Sequence, residues 1–242
     1  GLCTGDNDRF LRFWFEVDFS KIGFNFKSCK EFLESNFRYA PHNKGGSPRR
    51  WAGNRDYIIK FDLESYAQLS KMCNHLASKS HYFRQSLTWS EIGTGIFAVR
   101  ALENGYTFNI KGPSIFVEEP TRSILLAYFN SPVFQYFLGF INQTISFNGG
   151  DIERVPFMEI SSPDQIKLSE YSESCFYISN KDLNANEVCW GFSSDSMVTG
   201  EISERLISKT WLAIDEERKQ EVSKLKDSEE RINQIFIETY GL

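Results

Sequence analysis

Apolar residues in this chain gather in short clusters separated by polar and glycine-rich stretches. Residues 13–17 group aromatic and β-branched side chains and predict a strand, residues 29–37 a short helix, and residues 57–61 another strand. Within residues 63–79, Leu63, Tyr66, Leu69, Met72, Cys73 and Leu76 recur at steps of three and four, the spacing of an amphipathic helix. Leu87-Thr88-Trp89-Ser90 leads into residues 96–101, 106–110 and 114–117, which are divided by Asn104-Gly105 and Gly112-Pro113 and predict short antiparallel strands. Residues 121–129 predict a helix, and Asn130-Ser131-Pro132 supplies a cap and a first-turn proline for a second, strongly apolar one.

After that pair, residues 144–156 predict a strand, a glycine turn and an extended end set by Pro156. An acidic, serine-rich stretch to Ser174 predicts little order, and residues 175–192 are expected to pack back on the body. From Glu201 the chain turns to charged residues with sparse apolar positions. Val222, Leu225, Ile232 and Phe236 make a heptad-like seam with Glu229 in the skipped position, so a polar helix needing a partner surface is expected.

The stretch that attracts chemistry is residues 41–54, Pro-His-Asn-Lys-Gly-Gly-Ser-Pro-Arg-Arg-Trp-Ala-Gly-Asn. Lys44, Arg49 and Arg50 set three cations beside Trp51, while Gly45, Gly46, Pro48 and Gly53 oppose regular structure, so an exposed, cation-presenting loop is expected. Such a loop suits a polyanion: glycines admit phosphate to the backbone, arginines fork onto phosphate or guanine, and an indole stacks or wedges. It equally suits a solvated surface loop with a half-buried tryptophan.

Charge sharpens the choice. The net charge is −5, yet residues 1–112 hold 16 Lys and Arg against 11 Asp and Glu, out of totals of 27 and 32. A positive half within an acidic chain is compatible with steering toward DNA and argues against wholesale nucleic-acid coating. The 242 residues allow one large domain or two small ones. No apolar run is long enough to cross a bilayer and no signal-peptide pattern opens the chain, so a soluble, cytoplasmic protein without membrane contact is expected. Gly1 precedes a first methionine at Met72, as expected of a piece of a longer protein. Cys3, Cys29, Cys73, Cys175 and Cys189 are scattered and are expected to be reduced thiols; His42, His75 and His81 lack ligand spacing, and no metal site is expected.

Catalytic signatures are missing from the sequence. The Asp/Asn-Pro-Pro-aromatic tetrapeptide of adenine and cytosine-N4 methyltransferases, a Walker A loop, a Gly-x-Ser-x-Gly elbow and His-Glu-x-x-His are all absent. Asp56, Glu64 and Lys71 are wrongly spaced for a metal-dependent nuclease, and Glu216, Glu217, Glu221, Glu229 and Glu230 read as a solvated helix face.

Several collinear stretches resemble the region that follows the catalytic domain in bacterial adenine-specific DNA methyltransferases of the BREX phage-defence type and in related single-chain restriction-modification enzymes. They are Gly1-Leu2-x-Thr4-Gly5-Asp6-Asn7-Asp8-Arg9-Phe10, Tyr39-x4-Lys44-Gly45-Gly46-x3-Arg50-Trp51-x-Gly53-Asn54, Thr88-Trp89-Ser90, Gly112-x-Ser114-x-Phe116 and Asn130-Ser131. Next come Thr144-x-x-Phe147-x-x-Gly150-Asp151-Ile152-x3-Pro156, Ile178-Ser179-x-Lys181-Asp182, Trp190-x-Phe192, and the closing Glu230-x-x-Asn233-x-x-Phe236-Ile237-x-x-Tyr240-Gly241-Leu242. Leu183, Cys189 and Gly191 depart from the Trp, Ser and Asp usual there.

The resemblance implies an α+β fold, a mixed α/β target recognition domain similar to the TaqI-type specificity domain, followed by a helical spacer. The expected division is residues 1–160 for target recognition, 161–200 for a segment packed on it, and 201–242 for the spacer. The implied partners are double-stranded DNA, the methyltransferase catalytic domain of the same parent chain, and other defence-system subunits. S-adenosylmethionine would belong to that catalytic domain, with no cofactor or catalytic residue in this chain. Lys44, Arg49 and Arg50 are expected on phosphates; Asn54, Arg84, Thr88 and Ser90 in a groove; Trp51 and Trp89 packing or stacking. Thr4, Gly5, Asn7, Gly150 and Asp151 are assigned to turns. The alternative reading is a protein-interaction module of a defence complex, using the acidic half and the last helix.

Overall fold

A computed structural model describes residues 1–93, 95–199 and 207–242. Two small sheets and a helical C-terminal part make up the α+β arrangement expected. The first sheet has the order β1 (Leu11–Phe13), β3 (Tyr57–Lys60), β2 (Tyr39–Asn43), β6 (Thr107–Phe108). Its neighbours are antiparallel except β2 and β6, which run parallel with His42 opposite Thr107. The second sheet places β4 (Ser86–Thr88) between β5 (Arg100–Leu102) and β7 (Ser114–Ile115), both antiparallel to it.

Around the first sheet are α1 (Asn7–Phe10), α2 (Cys29–Leu33) and α3 (Leu63–Leu69); Phe10, Phe32, Ile59, Phe61 and Phe83 fill its core. Asp6, Ser28 and Asp62 cap these helices through their side chains. The second sheet turns Leu87 and Ala101 toward α4 (Thr121–Asn130) and α5 (Pro132–Ile141), against which α7 (Ser162–Asn184) and α9 (Ile207–Tyr240) pack. Two short helices, α6 (Gly149–Glu153) and α8 (Ser196–Thr199), complete the described set. No single described helix is long and apolar enough to cross a membrane.

Several local expectations are corrected. The aromatic run at residues 13–17 yields only Phe13 to a strand, then a 3-10 turn over Trp14–Glu16. The helix expected over residues 63–79 ends at Leu69, beyond which Cys73, His75, Leu76 and Ser78 adopt positive φ. Its later apolar side chains still go inside, with Leu76 buried in the first core, but on irregular backbone. Pro41 lies within β2, so the expected loop begins at Lys44. The strands after residue 96 do not pair as successive hairpins, because β4 separates β5 from β7 while β6 joins β2. In place of the turn expected at Gly149-Gly150 there is α6.

The largest correction concerns residues 162–184. Residues 162–174, expected to carry little order, join residues 175–184 in a 23-residue helix opened by the Ser161 side chain. Leu168, Ser172, Cys175 and Ile178 recur at helical spacing and are the residues it buries; two of the four are polar or small, which hides the stripe in the sequence. The closing helix forms as expected, although its first six expected positions, 201–206, lie outside the described residues. Ile232 and Phe236 of its seam are buried, Leu225 packs against the same core, and Val222 is exposed. Tyr240 anchors its end, its hydroxyl 2.9 Å from that of Tyr128 and 2.7 Å from the Pro156 carbonyl. Gly191 also has its reason here, since a Cβ on it would collide with the Asn184 side chain.

The thiols divide differently from expectation. Cys3 and Cys73 form a disulfide across 70 residues, while Cys29, Cys175 and Cys189 are free. The fold lays the N-terminus on the segment after α3: Cys3 N–H donates to Asn74 Oδ1 (3.1 Å) and Asn74 Nδ2 donates to the Gly1 carbonyl (2.7 Å). Cysteine spacing carries no trace of that meeting.

Candidate nucleic-acid interface

The loop from Lys44 to Asn54 leaves the first sheet at the end of β2 and returns to it at β3, crossing the second sheet on the way. Its conformation depends on three glycines. Gly45, Gly46 and Gly53 have φ of 90°, 115° and 143°, and a Cβ on Gly45 would stand 2.5 Å from the Lys111 carbonyl oxygen. Asn54, also at positive φ, donates from Nδ2 to the Ser47 carbonyl at 2.8 Å and closes the loop on itself.

Trp51 fixes the loop to the body. Its N–H donates to the Val99 carbonyl (3.0 Å), its carbonyl accepts from Ala101 N–H (2.9 Å), and its ring is 3% exposed within the second core. The indole Nε1 donates to Glu229 Oε1 of α9 at 2.7 Å, and Arg50 Nη1 lies 3.5 Å from the other oxygen of the same carboxylate. Glu229, expected on a solvated face, is therefore the acceptor that ties the basic loop to the last helix. Glu217 and Glu221 are likewise engaged, both with Lys181 of α7, whose pKa they raise by hydrogen bonding.

The cations differ in what surrounds them. Arg49 is exposed and makes no ion pair within 4 Å among the described residues; its aliphatic stem packs where a Gly53 Cβ would stand. Lys44 Nζ sits 4.5 Å from the centre of the Tyr57 ring, a cation–π contact that leaves its charge free of carboxylates. Arg84 is half exposed and 3.3 Å from Glu118 Oε1, away from the loop on the Gln85 side of the second sheet. Beside the loop, Pro48, Arg49, Arg50 and Ala52 face Ile178 and Asp182 of α7 and Arg218, Glu221 and Leu225 of α9 across a cleft of about 420 Å³.

Thr88, expected in a groove, lies inside, and Trp51 and Trp89 take the packing alternative. Thr88 is fully buried; its Oγ1 accepts from Asn43 Nδ2 (2.7 Å) and donates to the Pro113 carbonyl (2.8 Å). Trp89 is buried with Nε1 donating to the Phe147 carbonyl at 2.8 Å. With Trp51, they are core residues. Ser90 is half-buried, and its Oγ is enclosed without a protein partner.

Sequence reading passed over Arg100. It is wholly buried on β5 opposite Thr88, and Nε, Nη1 and Nη2 all lack a hydrogen-bond partner among the described residues. Burial, and then the neighbouring Arg49 charge, pulls its pKa down to about 10. Arg55 is also buried, with Nη2 3.8 Å from Glu103 Oε2. His42, inside β2, bonds through Nδ1 to Thr107 Oγ1 at 2.8 Å; burial, then Lys44, lowers its pKa to about 3. No cluster of His, Cys, Asp and Glu among the described residues could hold a metal ion.

No protein-family profile matches the chain. Two curated relatives do. The chain is 33% identical over 254 residues to the adenine-specific methyltransferase PglX of Lacticaseibacillus casei (strain Zhang), a match covering all of this chain and 21% of that protein. It is 30% identical over 202 residues to the adenine-specific methyltransferase BrxX of Escherichia coli O9:H4 (strain HS), covering 82% of this chain and 16% of that protein. The chain thus spans about a fifth of the length of these relatives or less. Along that length it is homologous to, and corresponds to, a region of the BREX-type adenine-specific methyltransferases.

Proposed function

We propose that this region reads duplex DNA for an adenine-specific methyltransferase, positioning a separate catalytic domain that uses S-adenosylmethionine. The observation that carries the reading is the loop at residues 44–54: a rigidly anchored, glycine-shaped projection whose Lys44 and Arg49 charges have no carboxylate within 4 Å among the described residues. An unpaired exposed arginine beside a lysine suits phosphate, and a forked guanidinium also suits guanine. Arg50 and Asn54 lie on the same loop as secondary contacts, and Arg84 extends the cationic surface across the second sheet. Thr88, Trp51 and Trp89 position these groups from beneath, and Ser90 lies at the loop's base.

In this reading residues 1–160 form a recognition domain of the TaqI-type specificity kind, 161–200 pack on it, and 201–242 make the helical spacer. The partners are duplex DNA, the catalytic domain of the parent enzyme and other defence subunits. Exposed Trp211 and Leu212 on α9 favour a protein contact along the spacer helix. The test is duplex binding as a function of salt. Arg49→Ala and Lys44→Ala should each flatten the dependence of log affinity on log salt by about 0.9 per lost phosphate contact. Salt slopes equal to wild type in both variants would remove the loop from the DNA interface.

A further inference from the structure

Beside the basic loop lies a set of buried donors that have no hydrogen-bond partner among the described residues. Arg100 brings three nitrogens without a partner, and Ser90, two residues beyond the Thr88 that faces Arg100 across the strands, brings an enclosed hydroxyl in the same condition. Gly45 covers Ser90: a Cβ on this glycine would stand 3.7 Å from Ser90 Oγ. Trp51 pairs its backbone with the residues on either side of Arg100, so the loop runs from Gly45 at Ser90 to the edge of β5 beside Arg100. A guanidinium removed from water and given no anion is strongly unfavourable, and such groups occur where a ligand completes them.

We propose that Arg100 and Ser90, with Arg49 from above, form a seat for a phosphate-class oxyanion. Charge selects the class. Two neighbouring guanidiniums with no carboxylate within 4 Å of either among the described residues suit a dianion or a phosphodiester with several acceptor oxygens, and a single carboxylate would leave them under-neutralised. Asp56 lies in the field of Arg49, and its own carboxyl is held above the usual carboxylate range by burial, with Arg49 opposing. The cover is the one place in the loop with two successive glycines at positive φ, so no side chain at Gly45 fills the space against Ser90 Oγ. The oxyanion is either a phosphodiester of DNA on the loop or a free phosphate; the first source rests on the DNA reading above, and the seat itself does not.

The experiment is thermal unfolding of the protein in phosphate against chloride at matched ionic strength and pH, for wild type, Arg100→Met and Ser90→Ala. Wild type should gain a saturable rise in Tm, roughly 3–6 °C at ten times the dissociation constant. Arg100→Met should lose the rise, and Ser90→Ala should weaken the apparent phosphate affinity several-fold. Duplex DNA then separates the sources. A salt slope flattened by about one contact in Arg100→Met assigns the seat to a DNA phosphodiester, whereas an unchanged slope with the phosphate response lost assigns it to free phosphate. Wild-type Tm identical in the two salts, or a full rise retained in Arg100→Met, overturns the proposal. If Arg100→Met does not fold, an unchanged phosphate response in both Arg100→Lys and Ser90→Ala overturns it equally. Loss of sequence-specific DNA binding with the phosphate response intact would fail the DNA reading alone.

Discussion

Glu229→Ala is the perturbation that most sharply probes how the loop is held. The Trp51 indole is 3% exposed and its N–H has one acceptor, Glu229 Oε1 at 2.7 Å. Removing that acceptor strands a buried donor, at a cost of about 1–3 kcal/mol. The Arg50 pair adds little: at 3.5 Å, with side chains 35% and 29% exposed, it is screened and contributes at most about 1 kcal/mol. Glu229→Ala should therefore lose about 2–3 kcal/mol, or roughly 4–12 °C in Tm for a chain of this size. Glu229→Gln keeps an oxygen for the indole and should lose under about 1 kcal/mol. Urea midpoints for Glu229→Ala, Trp51→Phe and the double variant give the coupling, expected to exceed about 1 kcal/mol. If Glu229→Ala and Glu229→Gln both lie within about 0.5 kcal/mol of wild type, the loop is not anchored through this carboxylate.

Further outcomes follow from other parts of the fold. His42 is buried neutral, with its pKa near 3 in the folded state against the ordinary 6.5, so the unfolded chain binds the extra proton. Its contribution is present above pH 6.5 and is lost as pH falls toward 3; between pH 7.5 and 5.5 wild type should lose about 1.4 kcal/mol more than His42→Gln in paired urea titrations. Thiol counting on the unfolded, unreduced protein should find Cys29, Cys175 and Cys189 only, and five thiols there would contradict the Cys3–Cys73 bond. That bond closes 70 residues, and Cys73→Ser should cost about 4 kcal/mol by denaturant midpoint. Phe236 is fully buried with its ring 5.2 Å from Tyr128, and Phe236→Ala should cost about 3–5 kcal/mol, whereas the exposed Trp211→Ala should stay within about 0.5 kcal/mol in the same assay.

What the sequence made legible was local. Ser131 before Pro132 announced α5, since cap and first-turn proline act within four residues, and the glycines of residues 45–53 announced a loop. Strand pairing was less accessible because β6 adds to β2 from 65 residues away, and no nearby turn signals it. The ordered helix α7 escaped because Ser172 and Cys175 occupy positions where a periodicity search expects large apolar residues. At the candidate interface, the cations Lys44 and Arg49 could be read from residue type and neighbours. The inward turn of Thr88 and Trp89 could not, because a three-residue strand buried on both faces has no alternation to betray its direction. Arg100 was invisible for the opposite reason: an arginine reads as surface until the fold buries it.

The central claim, that this region selects the DNA sequence to be methylated, is tested most directly by mapping modified adenines in cells expressing the parent methyltransferase, wild type against Arg49→Ala. Adenine modification at one defined motif in the wild type, lost or relaxed at a position of that motif in the variant, is the predicted result. The same motif modified to the same extent by a stable Arg49→Ala enzyme would contradict it.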